Sequence, residues 1–146
     1  MVRILFGILL APWLYVLVWT LPLIGHTAFH KWVVANIFLA YLVFFVLASI
    51  AHVALTLLNK TSIYSYCAVM FWVAALLDFT LSVLLLSGFD SNYYSHTQVV
   101  ENGMITAAGY LLQIKESLLH GVVSSSAMAV FWLVALWKPR HKKVQA

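Results

Sequence analysis

Residues 64–87 run YSYCAVMFWVAALLDFTLSVLLLS, an almost wholly apolar stretch with one acid, Asp78, near its centre. About 20 apolar residues rising 1.5 Å each cross a hydrocarbon core of roughly 30 Å, so the stretch is expected to be a transmembrane helix. A carboxylate at that depth is costly, about 2.5 to 3.5 kcal/mol on insertion scales. Protonation, a hydrogen-bonding neighbour or a water-filled cavity has to offset that cost. Asp78 is therefore the residue around which the other spans must be arranged.

The rest of the chain agrees with a polytopic membrane protein. Of its 146 residues 64% are hydrophobic and 8% charged, against about 45–50% and about 25% in soluble domains. One integral membrane domain over residues 1–146 is expected, with spans near 4–24, 33–58, 64–87 and 118–137. The first span follows Arg3 and contains Pro12, which removes a backbone donor and favours a kink. Its apolar run is too long for a signal peptide, and no small-residue cleavage site follows it. The second span has a thin half at Ala48, Ser49, Ala51 and Ala54, which permits close helix approach. Asn59-Lys60-Thr61 matches the glycosylation pattern only in a short loop against the membrane. The single cysteine, Cys67, excludes an intrachain disulfide and a Cys-rich zinc site.

Residues 88–102 are the longest polar stretch. Ser95 with Gln98 three residues later is a capping-box pattern, so a helix is expected to start there, with Asn102-Gly103 as a candidate interruption. From Asn102 onward a polar stripe recurs at helical spacing: Asn102, Thr106, Tyr110, Gln113, Ser117, His120, Ser124. Residues 95–117 are thus expected to form an amphipathic extracytoplasmic segment before the fourth span. The expected fold is an all-α membrane protein, a four-transmembrane-helix bundle carrying that segment.

Basic residues set the orientation. Arg3, Lys60 and the tail cations Lys138, Arg140, Lys142 and Lys143 would share one side, leaving Lys31 and Lys115 with Asp90, Glu101 and Glu116 on the other. This places both termini in the cytoplasm, in a bacterial inner membrane, with residues 138–146 as a basic tail that touches anionic lipid. That tail directly follows a span, so it is no signal for nucleic acid.

Counting 1.5 Å per residue, Asp78 lies slightly past the midplane. Tyr15 and Trp19 of the first span and Ser124, Ser125 and Ser126 of the fourth are expected at its level. Asp78, Ser124, Ser125, Tyr15 and His52 form the candidate intramembrane polar set, although His52 is expected lower. Gly121, Ser125 and Ala129 make a small-residue face suited to helix packing or oligomer contact. His26 with His30, and Glu116 with His120, are four apart, a spacing that suits a metal on a helix. The first pair falls on a turn, and there is no HExxH or Cys ligand. No metal site and no cofactor are expected. A bis-histidine haem would need two histidines at one height, which His52 and His120 are not expected to provide.

No nucleophile–base–acid set, phosphate loop or hydrolase elbow is present in the sequence. The expected function is non-enzymatic contact with another membrane protein, as an accessory subunit, sensor, or immunity or exclusion factor. A homo-oligomer is the other partner considered. The alternative is a small oligomeric channel or proton-linked transporter using Asp78, against which stand the lack of an internal repeat and of a second intramembrane acid.

Overall fold

The computed structural model describes residues 2–25, 27, 29–94 and 96–137, with residues 23 and 32 described by their backbone alone. Four helices are long and apolar enough to cross a membrane: α1 (Val2–Thr20), α2 (Phe29–Leu57), α3 (Ile63–Leu86) and α4 (Ala107–Ala135). The chain is an integral membrane helix bundle by that length and composition. The basic cluster of the tail, His26 and Ser95 lie outside the described residues.

Local chemistry explains where the helices stop and start. Asn59 takes a left-handed conformation, φ 56°, just past α2. The Asn59 amide donates to Thr56 O and the Lys60 amide to Leu55 O at 2.8 Å, a Schellman closure that satisfies the terminal carbonyls. Ser62 then caps α3, its hydroxyl oxygen accepting from the Ser65 amide at 3.2 Å. Pro12 lies inside an unbroken α1. The Tyr41 hydroxyl of α2 donates to the adjacent Leu9 carbonyl at 2.5 Å, the kind of neighbour that lets a membrane helix carry a proline.

α4 is the helix the others share. It packs along α3 on one side and α1 on the other, while α1 also meets α2. The α2–α3 contact is the loosest of the four. The core consists of Ala11, Phe44, Ala48, Ala51, Leu55, Tyr66, Met70, Ala127, Met128 and Phe131. Two glycines set how close the helices come. A β-carbon at Gly7 would lie 2.9 Å from the Phe131 ring, and one at Gly121 would lie 2.9 Å from the Phe71 carbonyl oxygen. At the first of these α1 meets α4; at the second α3 meets α4.

Arg3 ties the two ends of the described chain together. Its Nε donates to Val134 O at 3.2 Å and its Nη2 to Trp137 O at 2.7 Å. Cationic donors at a helix C-terminus satisfy free carbonyls and oppose the negative end of the dipole. The Trp132 indole donates to Thr61 O at 2.9 Å, so the α2–α3 turn is at this same end.

The other end departs from the expected all-α fold. No helix runs through residues 96–105. Instead, β1 (Asn92–Tyr94), β2 (Thr97–Glu101) and β3 (Met104–Ile105) form an antiparallel sheet in the order β1-β2-β3. The deciding residues are Asn102 and Gly103, with φ 50° and 76°. Positive φ at both positions of a two-residue loop is a type I′ turn, which Asn-Gly favours and a helix cannot contain. The helix start belongs to Thr106. Its hydroxyl accepts from the Gly109 amide at 3.0 Å and donates to Gln98 O at 2.7 Å. One side chain thus caps α4 and fastens the sheet to it. Val99 and Val100 are buried, and a β-carbon at Gly109 would collide with the Val99 carbonyl.

Candidate functional site

Asp78 is eight residues before the end of α3 and fifteen after its start, about 12 Å and about 22 Å along the axis. Ser117 is ten residues into α4, about 15 Å from that helix's start at the same end of the bundle. The two therefore meet. The Ser117 hydroxyl donates to Asp78 Oδ2 at 2.8 Å, and Ser117 is 3% exposed. One turn further along α4, His120 Nε2 stands 3.7 Å from Asp78 Oδ1. That is within ion-pair range and too long for a hydrogen bond.

α1 completes the cluster. The Tyr15 hydroxyl and His120 Nδ1 are 2.8 Å apart. Where the phenol donates to Nδ1 of a neutral imidazole, the other ring nitrogen, Nε2, carries the proton on the side of Asp78. Trp19, one turn from Tyr15, stacks on the His120 ring with centroids 4.2 Å apart and planes 16° from parallel. Its Nε1 is buried with no acceptor among the described residues. Three helices thus contribute to one polar cluster: Tyr15 and Trp19 from α1, Asp78 from α3, Ser117 and His120 from α4.

The serines expected beside Asp78 are not its partners. Ser126 donates to Val122 O within its own helix. Ser124 is buried and Ser125 half-buried, both a turn or more past the carboxylate. Tyr15 reaches Asp78 through His120 rather than directly. The expectation counted heights from the cytoplasmic ends of the spans, which puts Ser124 to Ser126 level with Asp78; in the structure Asp78 meets α4 at Ser117 and His120 instead.

Below the cluster, between residues 39–47 of α2 and 70–81 of α3, is a cavity of about 180 Å³. Its walls are apolar, with Phe44, Leu47, Met70 and Ala74 among them; Tyr15, Asp78, His120 and Ser124 supply its polar end. Leu39, Leu77 and Leu81 also line it and are 55%, 41% and 50% exposed. Its mouth therefore opens through the side of the bundle, toward the surface the bilayer would cover.

His52 is elsewhere. Its Nδ1 is 2.6 Å from the hydroxyl of Tyr66, which is fully buried, in an open cleft with Thr61, Trp132 and Trp137. Met70, Met128 and Phe131, each 2% exposed or less, belong to the apolar core packed with Tyr66.

The remaining candidates are dispersed. Gly121 packs on Phe71 within the chain, while Ser125 and Ala129 are half-buried. Of the polar stripe, Asn102 is in the hairpin and Thr106 is the cap, Tyr110 is exposed and Gln113 half-buried; only Ser117, His120 and Ser124 turn inward. His30 is exposed beside Phe29, and Glu116 is half-buried one turn from His120. Among the described residues no three His, Cys, Asp or Glu side chains are grouped as metal ligands.

Searches against protein-family models, curated proteins and solved structures gave no match to the chain.

Proposed function

We propose that this protein works by contact with another membrane protein, as an accessory subunit, a sensor, or an immunity or exclusion factor. The observation that carries the reading is the separation of its polar groups. The Tyr15–His120–Asp78–Ser117 cluster and the His52–Tyr66 pair are separate from one another, with Met70, Met128 and Phe131 in the apolar core beside them. Groups of this kind fix helix register and, among the described residues, form no continuous hydrogen-bonded run between the two sites, which disfavours conduction through a single copy. The test is co-purification of the full chain from native membranes. A membrane protein recovered in fixed ratio supports the proposal. A chain recovered alone that drives a pH-dependent flux in liposomes, abolished by Asp78→Asn, overturns it in favour of transport. The transport reading draws on one observation, the run of titratable groups from Tyr15 through His120 to Asp78 beside the cavity.

The proposed setting is a bacterial inner membrane with the Arg3 and Lys60 end in the cytoplasm. The sheet at residues 92–105 and the first turns of α4 then form the extracytoplasmic part. The support is the charge distribution: Arg3 and Lys60 at one end, with the basic tail following in sequence, against Lys31 and Lys115 with Asp90, Glu101 and Glu116 toward the other. A phosphatase reporter fused after Ala146 is expected to be inactive and a cytoplasmic fluorescent reporter active. The reverse pattern contradicts the orientation.

A further inference from the structure

We infer that the cavity between α2 and α3 binds a lipid-soluble molecule of single-ring size that carries a hydroxyl group, entering sideways from the bilayer. The inference does not depend on the contact reading, since either can fail without the other.

Asp78 from α3 and Ser124 from α4 both line the cavity's polar end. Asp78 Oδ2 accepts from Ser117 at 2.8 Å, but Oδ1 has no donor nearer than His120 Nε2 at 3.7 Å. Ser124 is 7% exposed and lines the cavity, and its hydroxyl makes no hydrogen bond among the described residues. The Asp78 side chain is 27% exposed, so its free oxygen is open to whatever occupies the cavity. A hydroxyl on the occupant donates to the carboxylate oxygen and keeps an acceptor oxygen of its own. A ketone or ether lacks the donor that Asp78 needs, and an anion would face Asp78.

Size and lining define the rest of the molecule. A cavity of about 150 Å³ lined by Leu, Ile and Phe binds benzene, so about 180 Å³ accommodates one ring with its hydroxyl. Phe44, Leu47, Met70 and Ala74 offer that ring an apolar wall. The exposed rim of Leu39, Leu77 and Leu81 leaves an exit through which an alkyl tail can trail into lipid. The chemistry is that of a substituted phenol or hydroquinone.

The probe is labelled 4-pentylphenol, added to the purified full chain in detergent, with its methyl ether 4-pentylanisole as competitor. The expected result is saturable binding, with unlabelled phenol competing at least tenfold better than the ether. Ser124→Ala should weaken binding several-fold. Ala74→Phe, which fills the cavity, should abolish it, and so should Leu39→Trp, which obstructs the exposed mouth without adding bulk to the core. Uptake that never saturates, or equal competition by phenol and ether on the unaltered protein, overturns the inference. So does undiminished binding by a folded Ala74→Phe or Leu39→Trp variant.

Discussion

Gly121→Leu is expected to unfold the bundle at a markedly lower temperature than the unaltered chain, at a cost of about 3 kcal/mol or more. The added side chain would meet the Phe71 carbonyl oxygen at 2.9 Å and the Phe71 ring at 3.0 Å from its first carbon alone. A ring can turn aside; a backbone oxygen inside α3 cannot move without the helix. α3 and α4 would have to separate at this level. Ser117 is one turn from Gly121 on the same helix, so its bond to Asp78 would be strained by the same displacement. Gly88→Ala is the control, because a β-carbon there has nothing nearer than 3.7 Å. Thermal unfolding and elution volume in detergent give the readout. Unchanged values for Gly121→Leu would contradict the close α3–α4 contact.

Asp78→Leu and Asp78→Asn are expected to part company. Leucine leaves the Ser117 hydroxyl, 3% exposed, without its acceptor, which costs about 1–3 kcal/mol. The lower part of that range applies if Ser117 turns to a carbonyl one turn back on its own helix. Asparagine keeps an oxygen in place to accept from Ser117, so it should cost about 1 kcal/mol or less. Equal stability of the two variants in a reversible denaturant titration would mean that the carboxylate oxygen is not held as described. An Asp78→Asn variant that folds and still co-purifies with a partner makes the acid a structural group. One that folds and loses biological activity makes its titration part of the function.

Much of the architecture is readable from composition because a bilayer asks for length and apolarity before anything else. Asp78 is conspicuous for the same reason: an acid in such a stretch needs partners inside the bundle. Its actual partners depend on where α4 begins, and there two local signals compete. Ser95-x-x-Gln98 imitates a capping box, while Thr106, the cap in the structure, has Gly109 three residues on and lacks the reciprocal acidic or amide side chain. Asn102-Gly103 was the stronger clue. A dipeptide that favours positive φ at both residues ends any helix reading and starts a hairpin. With α4 begun at Ala107 instead of 118, Ser117 comes near the level of Asp78 by counting alone, about 15 Å against about 12 Å from the same end. The cavity was not legible at all, since it arises from the loose α2–α3 contact, which no spacing in the sequence encodes. The stacking of Trp19 on His120 likewise depends on the relative rotation of α1 and α4.

The central claim is that Asp78 and Ser117 form a direct bond inside the bundle, and a double-mutant cycle tests it without interference from the change in apolarity at residue 78. Asp78→Leu, Ser117→Ala and the pair are compared by reversible unfolding, with Ser126→Ala in place of Ser117→Ala as the reference cycle. Coupling energies for such bonds within membranes average about 0.6 kcal/mol and reach about 1.7 kcal/mol. The account predicts coupling in that range between Asp78 and Ser117 and none between Asp78 and Ser126. Additivity of Asp78 and Ser117 to within about 0.3 kcal/mol, or coupling to Ser126 instead, would contradict it.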